Sequence, residues 1–330
     1  MMWRRDVGRW LLALLAAAGV APGFTAWGGE TAPEPPSSPK AGCRELLPAR
    51  YAGLDRELVR GDLRIRWASG GPHAPAQQRD SRGNGVPDVI DDLMTQLVAA
   101  RDIYRHGLGL ADPLGQARYQ AAQAITFFVM DLPRGNGLAF DEVTRLPGAQ
   151  GAGAPCALAA VVSNRLDFSR NVTGAHELFH LFQYGYAMFK APWLLEGMAR
   201  WSEGLFAGAA PPRQTGDAPA GCQDATRLRY GASAFWTARW GATGAGAPVP
   251  ANVREARYRD GSRVVAASAL PANVPAANGV RDRDMARADL ETLARLSRRA
   301  ATDMGLPAYE WPEAVQKSAR FNEAICEALR

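Results

Sequence analysis

Apolar and charged positions alternate through residues 62–68 (Asp-Leu-Arg-Ile-Arg-Trp-Ala), which predicts a strand with one buried face. Residues 124–131 (Ala-Ile-Thr-Phe-Phe-Val-Met-Asp) form an apolar run rich in strand formers, predicting a fully buried strand, and residues 157–163 read the same way. Helical patterns occupy residues 88–106, the stretch that opens at Asn171, and a segment that begins at Pro192, a residue suited to a first turn. Residues 229–240 read as the start of a buried helix. Residues 284–303 are amphipathic, with Met285, Leu290, Leu293 and Leu296 on one face, and residues 312–330 predict a further helix. Residues 133–153 and 204–222 read as loop, and 241–282 as loop-rich. No internal repeat is present.

With 330 residues, 47% of them hydrophobic, the chain can bury one large core or two small ones. Residues 1–28 have the character of an export signal. A basic start (Arg4, Arg5 and Arg9 against Asp6) precedes an apolar run over 10–20, then small residues over 21–28. The run is shorter than the about 20 residues of a comfortable span, although an uncleaved anchor is the alternative. No lipobox-like cysteine follows it, since Cys43 comes after a Pro/Ser-rich linker over 29–42. The expected form is an exported chain, periplasmic or extracellular, with no stable membrane span after signal removal. Its organisation is a signal peptide over 1–28, a linker and N-terminal segment over 29–60, and one domain over 61–330, divided near residue 187.

Losing three Arg and one Asp with the signal takes the formal charge from +5 to +3. No basic block interleaved with aromatics points to nucleic acid. Cys43, Cys156, Cys222 and Cys326 are widely spaced without a C-x-x-C pair. In an exported chain this predicts two disulfides, in any of three connectivities. The Ala/Arg-rich composition looks bacterial, so Asn171-Val-Thr173 reads as helix capping and not as a glycosylation site.

The candidate chemistry lies in Asn-Val-Thr-Gly-Ala-His-Glu-Leu-Phe-His, residues 171–180. His176 and His180 stand at i and i+4 on one helix face, where two imidazoles can bind one metal ion. Glu177 lies about 100° round the helix, free to act as general base on a water at the metal. Asn171 or Thr173 can cap the helix, and Leu178, Phe179, Leu181, Phe182 and Tyr184 supply packing. The bland alternative is a chance match on a buried helix with satisfied core histidines. A catalytic zinc has three protein ligands and one open position. Glu196, in Trp-Leu-Leu-Glu-Gly-Met-Ala (193–199), can fold back to the same ion. Glu203, seven residues on, is the competing ligand, or else a structural residue behind the site.

These residues resemble the gluzincin metallopeptidases, in which a W-x-x-E-G-x-A-like segment follows H-E-x-x-H and its Glu is the third ligand. The fifteen residues between His180 and Glu196 are fewer than in the thermolysin-like and aminopeptidase branches. Asn-Gly-Val-Pro-Asp entering a helix, then a strand, H-E-x-x-H and W-x-x-E-G, is similar to a group of secreted bacterial metalloproteases with a zincin-like (peptidase MA-like) domain, over about residues 62–240. The resemblance implies a zincin-like α+β domain: a small mixed sheet, a metal helix beneath it and a helical C-terminal half. In that frame the 157–163 strand borders the cleft and a peptide adds to it; otherwise it is an ordinary strand. Gluzincin aminopeptidases also carry an oxyanion-supporting Tyr in a Y-x-x-G-A-like segment, nearest to Tyr230 here; the alternative is a packing tyrosine.

Residues 80–91 (Asp-Ser-Arg-Gly-Asn-Gly-Val-Pro-Asp-Val-Ile-Asp) look like a calcium loop, with donors from Asp80, Asn84, the Val86 carbonyl, Asp88 and Asp91 and a turn at Gly85. Arg82 stands where a carboxylate is expected, which favours a turn capping the next helix, with Asp91 and Asp92 in its first turn. The reading that follows is a zinc metallopeptidase in which His176, His180 and Glu196 bind Zn²⁺, Glu177 is the base, Tyr230 assists, and the partner is a peptide or protein substrate. The alternative is a non-catalytic zincin-fold secreted binding or scaffold protein that retains the metal site.

Overall fold

In the computed structural model, strands β1 (Arg44–Glu45), β2 (Arg56–Arg60), β3 (Leu63–Trp67), β4 (Ala124–Met130), β5 (Gly137–Ala139), β6 (Thr144–Arg145) and β7 (Cys156–Ser163) form one mixed sheet. The structure describes residues 43–45, 51, 53–145, 156–209, 219–241, 250–267 and 276–330, all within the unit Ser38–Arg330. The expected signal peptide and the 29–42 linker lie outside the described residues. The sheet order is β1-β6-β7-β4-β3-β2, with β5 also on β7. β3, β4 and β7 run parallel, β2 is antiparallel to β3, β5 and β6 are antiparallel to β7, and β1 is parallel to β6.

Alternate side chains divide the sheet into two faces. Ile65, Ile125, Phe127, Leu158, Ala160 and Val162 pack towards the helices, whereas Ala124, Phe128, Ala159 and Val161 meet Tyr51, Leu54 and Leu132 on the other face. Coverage on both faces explains why β4 and β7 are predominantly apolar and buried almost throughout, while β3 alternates. Two features depart from expectation. β2, in the N-terminal segment for which no strand was expected, forms a hairpin with β3, and β5 and β6 lie in the stretch read as loop. Strands of three and two residues, the first beginning with a glycine, are too short to show alternation.

The helices are α1 (Asp88–Asp102), α2 (Thr173–Tyr186), α3 (Pro192–Glu203), α4 (Cys222–Ala225), α5 (Ser233–Trp240), α6 (Ala251–Arg254), α7 (Ala276–Met304), α8 (Glu313–Gln316) and α9 (Asn322–Ala328). α7 begins eight residues before the expected start. The single helix expected over 312–330 is instead α8, a 3-10 turn at Ala319–Phe321, and α9. The resulting class is α+β, with a small mixed sheet followed by helices.

α1, α2 and α3 meet around Tyr104, which is fully buried, edge-on to Phe179, Phe182 and Phe206. Its hydroxyl donates to the Ala175 carbonyl at 3.0 Å and lies 3.3 Å from Ser202 Oγ. Trp193, Trp236 and Trp240 fasten α3 to α5, the first two stacked at 5.8 Å. The disulfides are Cys43–Cys156 and Cys222–Cys326, spanning 113 and 104 residues. Loops of that length correspond to about 4.7 kcal/mol each in the chain-entropy account.

Candidate metal centre

α2 presents His176 and His180 one turn apart, buried, with rings edge to face at 4.7 Å. The helix start is held by two side chains. Asn171 Oδ1 accepts the Thr173 N–H at 2.9 Å, but the N-cap position is held by Val172, so neither Asn171 nor Thr173 is the expected N-cap residue. Gln96, fully buried on α1, accepts the Ala175 N–H at 3.0 Å and donates to the Phe168 and Asn171 carbonyls and to Tyr258 Oη.

After α2 the chain reverses through residues 187–191. Met188 N–H donates to Ser297 Oγ at 3.1 Å and Lys190 N–H to the Gln316 carbonyl at 2.7 Å, so the C-terminal half sets this turn. Pro192 then starts α3 as expected. Glu196 comes back to α2 on the next turn. Its Oε2 lies 3.5 Å from His176 Nε2 and 3.8 Å from His180 Nε2. The three ligand atoms fall within 4.8 Å of one another. Gly197 makes the approach possible, because a Cβ there would sit 2.8 Å from Ala232 Cβ and 2.9 Å from Trp236 Nε1. Glycine thereby lets the 230–232 turn lie directly on α3 beside Glu196.

The outward-facing atoms are already engaged. His176 Nδ1 meets Glu203 Oε1 at 2.8 Å, and Glu203 is held by Arg200. Glu203 therefore stands behind His176, away from the Nε2 side. His180 Nδ1 meets Gln183 Oε1 at 2.7 Å, and Gln183 Nε2 donates to the Leu195 and Leu194 carbonyls of α3. Arg229 Nη2 donates to Glu196 Oε1 at 2.9 Å. Glu196 Oε2 is buried and accepts no hydrogen bond.

This arrangement fits a metal ion. Burial of an unsatisfied carboxylate oxygen is costly unless a cation satisfies it. The two Nε2 atoms are 3.1 Å apart, close to the about 3.3 Å that a tetrahedral ion with nitrogen bonds of about 2.05 Å requires. His176, His180 and Glu196 could thus hold one ion through Nε2, Nε2 and Oε2.

Without metal, burial disfavours a proton on either histidine. Glu196, Glu203 and the Glu177 charge nonetheless keep His176 protonated, while burial and the adjacent His176 charge keep His180 neutral. Burial also opposes ionisation of Glu196, but His176, His180 and Arg229 pull its pKa down to about 2. Glu177, 6% exposed, is pushed up to about 7 by burial, with His176 opposing and Glu196 adding to the rise.

β5 runs directly over Glu177. A Cβ on Gly137 would lie 2.5 Å from Glu177 Oε1, and the Ala139 N–H bonds to the same carboxylate. Here one expectation is corrected. β7 has no free edge for a peptide to join, because β5 and β6 pair along the side facing away from β4. β5 is the outer strand. Its Phe140 N–H bonds to the Ala159 carbonyl, and Asn136 accepts from Ser163. By antiparallel alternation the backbone groups of 137 and 139 point away from β7.

Tyr230 begins a 3-10 turn and is 47% exposed, so it is not the core tyrosine of a buried helix. Its ring lies 6.3 Å from that of His176, and Arg229 sits over its face at 5.0 Å. On the opposite side Tyr184 stacks on His180 at 5.7 Å, with Lys190 over it.

Residues 80–91 stand apart from this centre and close on themselves. The Asp80 carboxylate accepts the N–H groups of Arg82, Asn84 and Gly85, Asp88 accepts from Ser81, and Arg82 pairs with Asp91 at 3.7 Å. Asn84 Oδ1 accepts the Val86 N–H. Asp80, Asn84 and Asp88 are thus engaged within the loop, whereas Asp91 Oδ2 is buried and accepts no hydrogen bond. No side chain of the loop caps α1, whose N-cap is Pro87. Asp92 is buried and not a solvent-facing first-turn acid.

Gln183, Arg229, Gly137 and Gln96 were not singled out by the sequence pattern. Gln183 had a usable signal, at i+7 from His176 and i+3 from His180 on one face. The other three act across folds of 33 to 79 residues or through a backbone contact, and leave no local mark. Comparison with known families, with characterised proteins and with solved structures returns no significant match to this chain.

Proposed function

We propose that this chain is an exported zinc-dependent peptidase, with His176, His180 and Glu196 as ligands and Glu177 as general base. The observation that carries the reading is the unsatisfied, buried Glu196 Oε2 facing two histidine Nε2 atoms, with a non-ligand carboxyl, Glu177, beside them. Zinc at this position supplies Lewis-acid activation of water and of the scissile carbonyl. Glu177, buried beside the ligands and not one of them, takes the proton from the attacking water and hands it to the leaving amine. The outward groups of β5 that Glu177 does not use, the Gly137 N–H and the Gly137 and Ala139 carbonyls, support a substrate bound as an added strand, at β5 instead of β7. Tyr230, whose pKa is raised first by burial, stays neutral and can donate to the oxyanion. A zincin-like fold is part of this proposal. The two disulfides support an oxidising compartment, and no helix among the described residues is long and apolar enough to cross a membrane.

Metal analysis combined with a casein-type cleavage assay tests the reading. One zinc per chain, chelator-sensitive cleavage, and a Glu177→Gln variant that keeps zinc but loses about 10²–10⁴-fold in turnover are expected. Zinc without cleavage would favour the binding or scaffold module. Absence of zinc from folded protein would overturn the assignment.

A further inference from the structure

Two cations flank the histidine pair, each over a tyrosine face, and their surroundings differ. Lys190 lies over Tyr184, but its ammonium is bound to Asp141 at 2.9 Å and its side chain is only 15% exposed. Arg229 lies over Tyr230 with a side chain 62% exposed, next to the exposed Leu228. It donates one Nη2–H to the Glu196 carboxylate. A guanidinium has five N–H donors in a planar fork, and with 62% of the side chain exposed part of that fork stays accessible to a ligand.

An ion held by His176, His180 and Glu196 shares the charge that otherwise balances Arg229. Glu203 is already balanced by Arg200. The ion at +2, Glu196 at −1 and Arg229 at +1 leave +2, the balance in Glu177→Gln protein, and an ionised Glu177 still leaves +1. The exposed part of that surplus is the guanidinium. It is held between an aromatic face and a carboxylate, so little ordering is needed before it binds.

We propose that Arg229 is a specificity-determining residue that selects peptides with a carboxylate beside the scissile bond, either an acidic side chain or the C-terminal carboxylate. The inference rests on the peptidase reading. A guanidinium fork matches a carboxylate with two parallel hydrogen bonds, whereas it repels an α-ammonium at the same place.

The test uses zinc-loaded full-length Glu177→Gln protein, which binds without turnover, and calorimetric Kd values. The probes are alanine-rich hexapeptides in which one Glu or Gln is moved along the chain, and matched pairs with a free or amidated C-terminus. About tenfold tighter binding of a carboxylate-bearing peptide than its neutral isostere is expected in at least one pair. Glu/Gln pairs report a side-chain carboxylate, and the terminal pairs report the C-terminus. The preference should vanish when Arg229→Gln is added and reverse with Arg229→Glu, zinc content being checked for each. Equal affinities in every pair would overturn the proposal without recourse to a variant, as would a preference that survives Arg229→Gln in zinc-loaded protein. Failure of the wild type to cleave any of these peptides or casein would count against the peptidase reading alone, because the binding ratios report on Arg229 separately.

Discussion

Gly137→Ala separates the position of the base from the binding of the metal. A Cβ at 137 would lie 2.5 Å from Glu177 Oε1, 2.7 Å from Glu177 Cγ and 2.7 Å from Thr173 Cγ2. Carbon atoms pack at about 3.5–4.0 Å, so each carbon contact is short by about 1 Å. The strand cannot simply rise, because β5 is bonded to β7 at both ends, through Phe140 and Asn136. Glu177 is buried on a helix that also carries His176 and His180, so relief must come from swinging its carboxylate away from the Ala139 N–H. Overpacking of this kind costs about 1–3 kcal/mol of stability. A displacement of about 1 Å at a catalytic group costs about 10²-fold in turnover. The ligand atoms of His176, His180 and Glu196 do not touch residue 137, so zinc affinity should stay within about threefold. The assay is zinc stoichiometry, thermal melting and kcat/KM on one preparation. Folded, fully loaded Gly137→Ala with wild-type turnover would refute the placement of Glu177 as base beneath β5. Loss of zinc in step with loss of turnover would show that the substitution disturbs the ligands instead.

Two further substitutions probe the supports. Gln183→Leu leaves the His180 Nδ1 proton without its acceptor and unlinks α2 from the Leu195 carbonyl, so zinc affinity should fall about 10–100-fold in chelator competition; unchanged affinity would remove Gln183 from the site. Burial raises the pKa of Asp92 to about 6, with Asp260 and Asp167 adding to the rise and the Arg259 N–H and charge opposing it. The native state therefore takes up this proton before the unfolded chain does. The Asp92 contribution is full below about pH 3.8 and is lost as pH rises through about 6, where the charged form costs about 2–3 kcal/mol. Asp92→Asn keeps the acceptor oxygen and should raise stability by about 1–3 kcal/mol at pH 7.5 and by almost nothing at pH 4. Equal gains at both pH values in denaturant melts would contradict the assignment.

Local periodicity was enough to locate β3, β4, β7, α1 and α2, because side-chain alternation and helical spacing are recorded within a few residues of sequence. The i, i+4 histidines needed nothing beyond the helix they occupy. Glu196 required one more step, a chain reversal before Pro192. What the chain alone left open were choices made across long separations. One of three cysteine pairings was selected when Cys43 met the start of β7 and Cys222 met α9. The outer strand became β5, three residues with no pattern of their own, because β7 offered it a free edge. Glu203 was turned from possible ligand to support by the Nδ1 side of His176, and Arg229 reached Glu196 because Gly197 lets the turn bearing it approach α3. Sequence spacing encodes which side chains share an element, since backbone geometry is local. Which elements meet, and which atom of each side chain is left free, depends on packing, and only the tertiary structure decided that.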